Sequence, residues 1–118
     1  MKIPDMHLLY NAAAHFKAQD RYPDGLIAGI SQEGYAGFEA TCWALAELGS
    51  QGELARRDMH YDRQEMPRME SLLVSLKVTE LLEAKTAILD AVSRGLHAEG
   101  GEDEEIDEII AEQQKKTD

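Results

Sequence analysis

The residues of this 118-residue chain that could do chemistry are four histidines, one cysteine and twenty-three carboxylates. His7 and His15 stand two helical turns apart, so one helix face could present both imidazoles, the commonest metal ligands. No carboxylate or thiol joins them at metal-ligand spacing. His60-Tyr61-Asp62 sets an imidazole beside a carboxylate in a stretch without helical or strand period, an arrangement that chelates only weakly. Cys42 sits among Ala and Leu, where a thiol behaves as a small hydrophobe. A lone cysteine closes no internal disulfide, which fits a reducing cytoplasm. Acid–base chemistry needs a desolvated carboxylate pair. The carboxylates here stand singly on helix faces or crowd into one terminal run. The sequence contains neither a Gly-rich phosphate loop nor a nucleophile elbow. The expectation is a protein that is not an enzyme and holds no metal and no cofactor.

Composition says which elements would position these residues. The chain is 43 % hydrophobic but only 6 % aromatic, with few β-branched residues. That favours helices packed through Ala, Leu, Ile and Met, and the expected fold is an all-α, single-domain helical bundle. The formal charge is −11 and the pI about 4.7. Such a chain repels a nucleic-acid backbone, so no nucleic acid is expected as a partner. No stretch is long or apolar enough for a bilayer, so no membrane is expected either. The opening MKIPDMHLLY lacks the basic segment and apolar core of a signal peptide.

Residues 38–48, FEATCWALAEL, form the longest nearly uncharged run and hold the only Trp and Cys. Phe38, Thr41, Cys42, Leu45 and Leu48 fall at helical spacing, and Ala40, Ala44 and Ala46 widen the stripe. This predicts a central helix, loosened before its start by Gly34 and Gly37 and stopped by Gly49 and Gly52. Ahead of it, Asp5 is placed to cap a helix beginning near Met6, with Leu9, Ala12, Ala13 and Phe16 as its apolar stripe. Leu26, Ile27 and Ile30 suggest one or two further turns. Residues 53–57 can continue as helix, and residues 58–66 read as a linking loop. Pro67 suits a first helical turn, followed by Met69, Leu72, Leu73 and Leu76 on a short amphipathic helix. Val78, Leu81, Leu82, Ile88, Leu89 and Val92 predict a last main helix ended by Gly95.

The domain is therefore expected over residues 1–97, with an acidic, partly flexible tail over 98–118. The tail carries nine acids against two lysines, a net −7 of the total −11. Gly100-Gly101 reads as its hinge. Ile106, Ile109 and Ile110 make a short apolar seam on an otherwise charged helix that should not fold alone. Either the tail stays solvated or its seam docks on a partner. Trp43 lies between Glu39 and Glu47, away from the core stripe. Either another helix of the same chain covers it, or it belongs to a partner surface with Tyr35 and Gln51 near the ends of the same helix.

Several stretches together carry a family likeness. They are Leu9-Tyr10-Asn11-Ala12-Ala13-Ala14, the run WALAELGSQG at residues 43–52, AKTAILDAVSRG at 84–95, Glu105-Ile106-Asp107-Glu108 and Gln114-Lys115-Lys116-Thr117. In order and spacing the chain resembles the tail assembly chaperones of long-tailed bacterial viruses, including those of prophages in Gram-positive bacteria. Residues 58–66 and 31–37 match less clearly. The resemblance implies a non-enzymatic protein of the host cytoplasm, absent from the mature virion. It would bind the tape-measure protein, keep it soluble and help recruit the tail-tube protein. A homo-oligomer is expected as well, because a long rod-like client offers repeated sites. A different reading takes the charge as primary: an acidic inhibitor that imitates nucleic acid. Charge gathered in one tail fits that less well than charge laid along a folded face. A small enzyme would need a pocket with convergent polar groups.

The resemblance also implies that some ribosomes slip back one nucleotide near the stop, making a longer form that links the tape measure to the tail-tube protein. Slippage needs adjacent codons that re-pair after the shift. Gln114-Lys115-Lys116-Thr117 can be encoded with an unbroken run of A across both lysine codons. At the protein level, the same lysines simply suit a helix C-terminus in an acidic segment. The frameshift expectation is AAA-AAA or AAA-AAG at Lys115-Lys116, with an overlapping −1 frame continuing past the stop. Sequencing the gene checks it: AAG at Lys115, or an immediate stop in that frame, removes the longer form.

Overall fold

Alanine and leucine make the middle of this chain helical well beyond its apolar stripe. In the computed structural model, which describes residues 3–97, the central helix α3 runs from Gly34 to Asp58. Around it lie α1 (Ala12–Arg21), α2 (Leu26–Ile30), α4 (Met69–Ser75) and α5 (Leu81–Leu96), with single 3-10 turns at Ile3–Asp5 and Val78–Glu80. The fold is all-α, and no strand occurs among the described residues. α3 touches all four other helices, so the bundle is built around it.

The expected stripe of α3 is present. Ala40, Thr41, Cys42, Ala44, Leu45 and Leu48 are completely buried, and Phe38 packs at their edge. Each Leu buried this way contributes about 1.5–3 kcal/mol relative to exposure. Thr41 avoids leaving a buried hydroxyl unpaired by donating to the Gly37 carbonyl at 2.7 Å.

The ends of α3 differ from expectation. It begins at Gly34 and runs straight through Gly49 and Gly52 to Arg56 and Arg57, whose charges suit its C-terminus. Glycine inside a helix costs about 1 kcal/mol against Ala. That cost is offset by what the missing side chains admit. Residues 6–10 lie across the bundle as a non-helical strap. A Cβ at Gly52 would collide with the His7 carbonyl, and one at Gly95 of α5 with the Tyr10 carbonyl. The expectation that Gly49 stops its helix is corrected accordingly, since it lies inside α3, whereas α5 ends one residue after Gly95, at Leu96. The Leu9 N–H donates to the Leu48 carbonyl at 3.0 Å, fastening the strap to α3.

This strap also overturns the reading of the first helix. Its cap is Asn11 rather than Asp5: the Asn11 Oδ1 accepts from the Ala14 N–H at 3.0 Å. Starting at Ala12, α1 buries Ala14 and Ala18 and leaves Phe16 63 % exposed. α1 lies antiparallel to α3, joined by Asn11–Gln51, Lys17–Glu47 and Tyr22–Trp43 contacts in that order.

α2 and α4 fall where the sequence puts them, with Leu26, Ile30 and Leu72 buried. Pro67 precedes α4 rather than entering its first turn, and its ring packs on Gly49. In α5 the buried face is Ala84, Ile88, Ala91 and Val92. Val78, Leu82 and Leu89, expected on that stripe, are instead exposed. The helix has apolar residues on two sides, and its buried face is two alanines with Ile88 and Val92, without a leucine.

The contact at Gly52 yields a test whose sign separates two effects. On an open helix face Gly→Ala would stabilise by about 1 kcal/mol. Here the new methyl meets backbone that has little room to yield, so Gly52→Ala is expected to destabilise by about 1–3 kcal/mol. Urea unfolding reads the difference. A stabilised variant would mean the strap does not rest on α3.

Candidate functional site

The groups that suggested chemistry are held in ways that do not combine. His7 lies on the strap, while His15 on α1 shares a 2.6 Å hydrogen bond between its Nδ1 and the Tyr10 hydroxyl. His60 sits just past α3 in the left-handed region, with φ of 68°. No group of three or more His, Cys, Asp or Glu side chains among the described residues is placed to hold a metal ion. Cys42 is fully buried, and burial pushes its thiol up to about 11, far from the thiolate a nucleophile needs.

Glu53 is the carboxylate that the sequence did not single out. It is buried near the end of α3. Its Oε2 accepts from the Gln64 backbone N–H at 2.8 Å and from the Arg57 Nε at 2.8 Å, and its Oε1 faces the Arg56 Nε at 3.4 Å. The two arginines reach on to the Gln64 and Asp62 carbonyls. The Gln64 N–H, and after it Arg57 and Arg56, hold the Glu53 carboxyl below the usual range against the opposing effect of burial. A general acid would need the opposite shift. Glu53 is therefore a clamp that closes the 59–68 segment onto α3.

The described residues expected at a partner surface, Tyr35, Trp43 and Gln51, all lie on α3 but differ in exposure. Tyr35 is 65 % exposed at the start of α3 and tilts against Phe38 at 5.8 Å between ring centroids. Trp43 is half-buried. The Tyr22 ring meets it edge-on at 5.7 Å, and the Arg21 guanidinium lies 5.6 Å from its centroid. Gln51 is buried, accepting from Asn11 Nδ2 at 3.0 Å and donating to Glu47 Oε1 at 2.9 Å. Ile106, Ile109 and Ile110 lie outside the described residues.

A different surface emerges between the strap side and α5. Ile3, Met6 and Leu8 form one wall of an open groove of about 740 Å³, and Leu82, Thr86 and Ala87 the other. Glu83, Asp90 and Arg94 stand at its edge, with Asp90 and Arg94 paired at 3.1 Å. Leu82 is 77 % exposed beside it, and Leu89, one helical repeat on, continues the apolar line. The sequence signal was the excess of aliphatic residues on α5, more than one buried face can use. The opposite wall comes from the chain's other end and is invisible to local periodicity.

No helix among the described residues is long and apolar enough to cross a membrane. Scans of the chain against protein-family models, curated proteins and solved structures match none of them.

The Glu53 clamp sets a pH dependence with a definite sign. Its folded-state pKa lies below the unfolded value of 4.5. The stability it adds is therefore fully present above that value and is lost as pH falls through the lower, folded one. The gap in melting temperature between the protein and Glu53→Gln should be steady from about pH 7 to 5 and shrink towards about pH 3. A gap that stays constant over the whole range would mean that the carboxylate's charge is not what holds the loop.

Proposed function

We propose that this protein is a non-enzymatic tail assembly chaperone of a long-tailed bacterial virus, which holds apolar helical stretches of the tape-measure protein before they enter the tail. The observation that carries this reading is the open groove between residues 3–8 and α5, continued by the exposed Leu82 and Leu89. An amphipathic helix laid in such a groove buries its apolar face and leaves its polar face in water. An aggregation-prone client offers many such faces, and the acidic charge of the chain keeps the complex dispersed. The family likeness of residues 9–14, 43–52 and 84–95 supports the same reading and supplies the client's identity. It also suggests the host cytoplasm as the place of action, several copies per client, and a longer frameshifted form that reaches the tail-tube protein.

Charge imitation of nucleic acid has less support from the folded part. There Glu47 pairs with Lys17, Glu53 with Arg56 and Arg57, and Asp90 with Arg94. An imitator of phosphate needs a continuous unpaired anionic face.

The test uses a client fragment drawn from the long reading frame beside this gene. Co-expression should raise the fragment's soluble fraction several-fold, and Leu82→Asp should remove most of that gain without unfolding the chaperone. A fragment equally soluble alone, or a neighbourhood with no tail genes, would overturn the proposal.

A further inference from the structure

We propose that the groove has an occupant within the same chain: the seam Ile106, Ile109 and Ile110 of the C-terminal segment lies along α5 against Leu82 and Leu89. The described chain ends beside the groove, with an acidic segment that carries three isoleucines still to come. α5 finishes at Leu96, and the Arg94 end of the groove is there. Twenty-one residues lie beyond His97. Nine residues separate Leu96 from Ile106, enough to span up to about 30 Å when extended. Leu89 is about 10 Å back along α5 from Leu96, and Leu82 about 21 Å. The seam can therefore reach either, and Gly100-Gly101 permits the reversal this needs.

The chemistry of the two partners matches. Ile106, Ile109 and Ile110 stand at i, i+3 and i+4, so a helix through them would put all three on one face and most of the surrounding acids on the others. That segment has too few apolar groups to fold by itself. Leu82 and Leu89 on α5, with Met6 and Leu8 across the groove, offer the apolar cover it lacks. Charge alone does not choose this occupant, because Glu83 and Asp90 stand at the groove beside Arg94. The tether does. A short linker gives the segment an effective concentration on the order of millimolar at the groove, well above that of a second copy in dilute solution. Any external helix that uses the groove must then displace the tail. This docking does not depend on who the external partner is.

The experiment is amide NMR of the full-length protein and two variants at widely separated concentrations. Ile109→Asp changes nothing in the described core. It should shift the amides of residues 3–8 and 82–94 while leaving those of residues 40–48 in place. Leu82→Asp, at a largely exposed position, should move the amides of residues 103–112 to unfolded-chain positions. Both effects should be independent of protein concentration. Unmoved groove amides in Ile109→Asp would overturn the proposal. So would shifts in the groove that vanish on dilution, since these belong to a second copy.

Discussion

The bundle is organised by two close approaches of one backbone strap to glycines on its long helices. The strap at residues 6–10 presses its His7 and Tyr10 carbonyls against helix positions that have no side chain, Gly52 on α3 and Gly95 on α5. Any Cβ there would push the strap away, because a backbone carbonyl cannot rotate aside as a side chain does. The strap is then held by the Leu9–Leu48 hydrogen bond and ends in the Asn11 cap, which fixes where α1 begins. It also brings Met6 and Leu8 alongside α5, making one wall of the groove. One steric allowance thus ties the two long helices together, sets the start of a third and creates the surface on which the functional reading rests.

That allowance explains which parts of the fold were legible in the sequence. The buried face of α3 was legible because residues 38–48 carry one apolar period and almost no charge. Its length was not. A glycine that ends a helix and a glycine that admits another chain look alike until the partner is known, and the partner of Gly52 lies at the far end of the sequence. Asp5 and Asn11 are both good caps, and only the strap decides between them. α5 failed for a different reason. Leucines dominate a hydrophobicity reading, but the buried face is Ala84, Ile88, Ala91 and Val92, and Leu82 and Leu89 were left outside. The groove was illegible for the same reason as the strap, since its walls come from opposite ends of the chain. Of the residues expected at a partner surface, Gln51 illustrates the limit. A polar residue on a helix reads as exposed, yet the Asn11 cap turns inward to meet it.

Thr41 bonds within α3, but the other two buried polar side chains among the described residues, Gln51 and Glu53, join elements that apolar packing alone would leave free to slide. Gln51 links α1 to α3 through Asn11, and Lys17 adds a partly exposed bridge to Glu47 on the same line. Glu53 does the equivalent for the 59–68 segment, which has no helix of its own to hold it. Such contacts add little net stability when satisfied, but breaking one leaves a buried group unpaired at about 1–3 kcal/mol. They therefore select one register of helices and loop over its neighbours more than they strengthen the fold.

The groove's size bears on how it can work. A short amphipathic helix would place three or four large apolar side chains in it, worth about 4.5–12 kcal/mol gross if each were fully buried. The groove is open, so the real gain is lower, and ordering and association remove at least about 4 kcal/mol more. On the proposed function, one copy would hold one segment weakly and release it readily. Strong retention would then need several copies on one client, with linkage multiplying the individual affinities. That combination suits a holder of a long chain better than an inhibitor, which needs tight binding from a single surface. A weak, reversible site would also leave such a client free to be handed on, because no single contact would have to be broken at high cost.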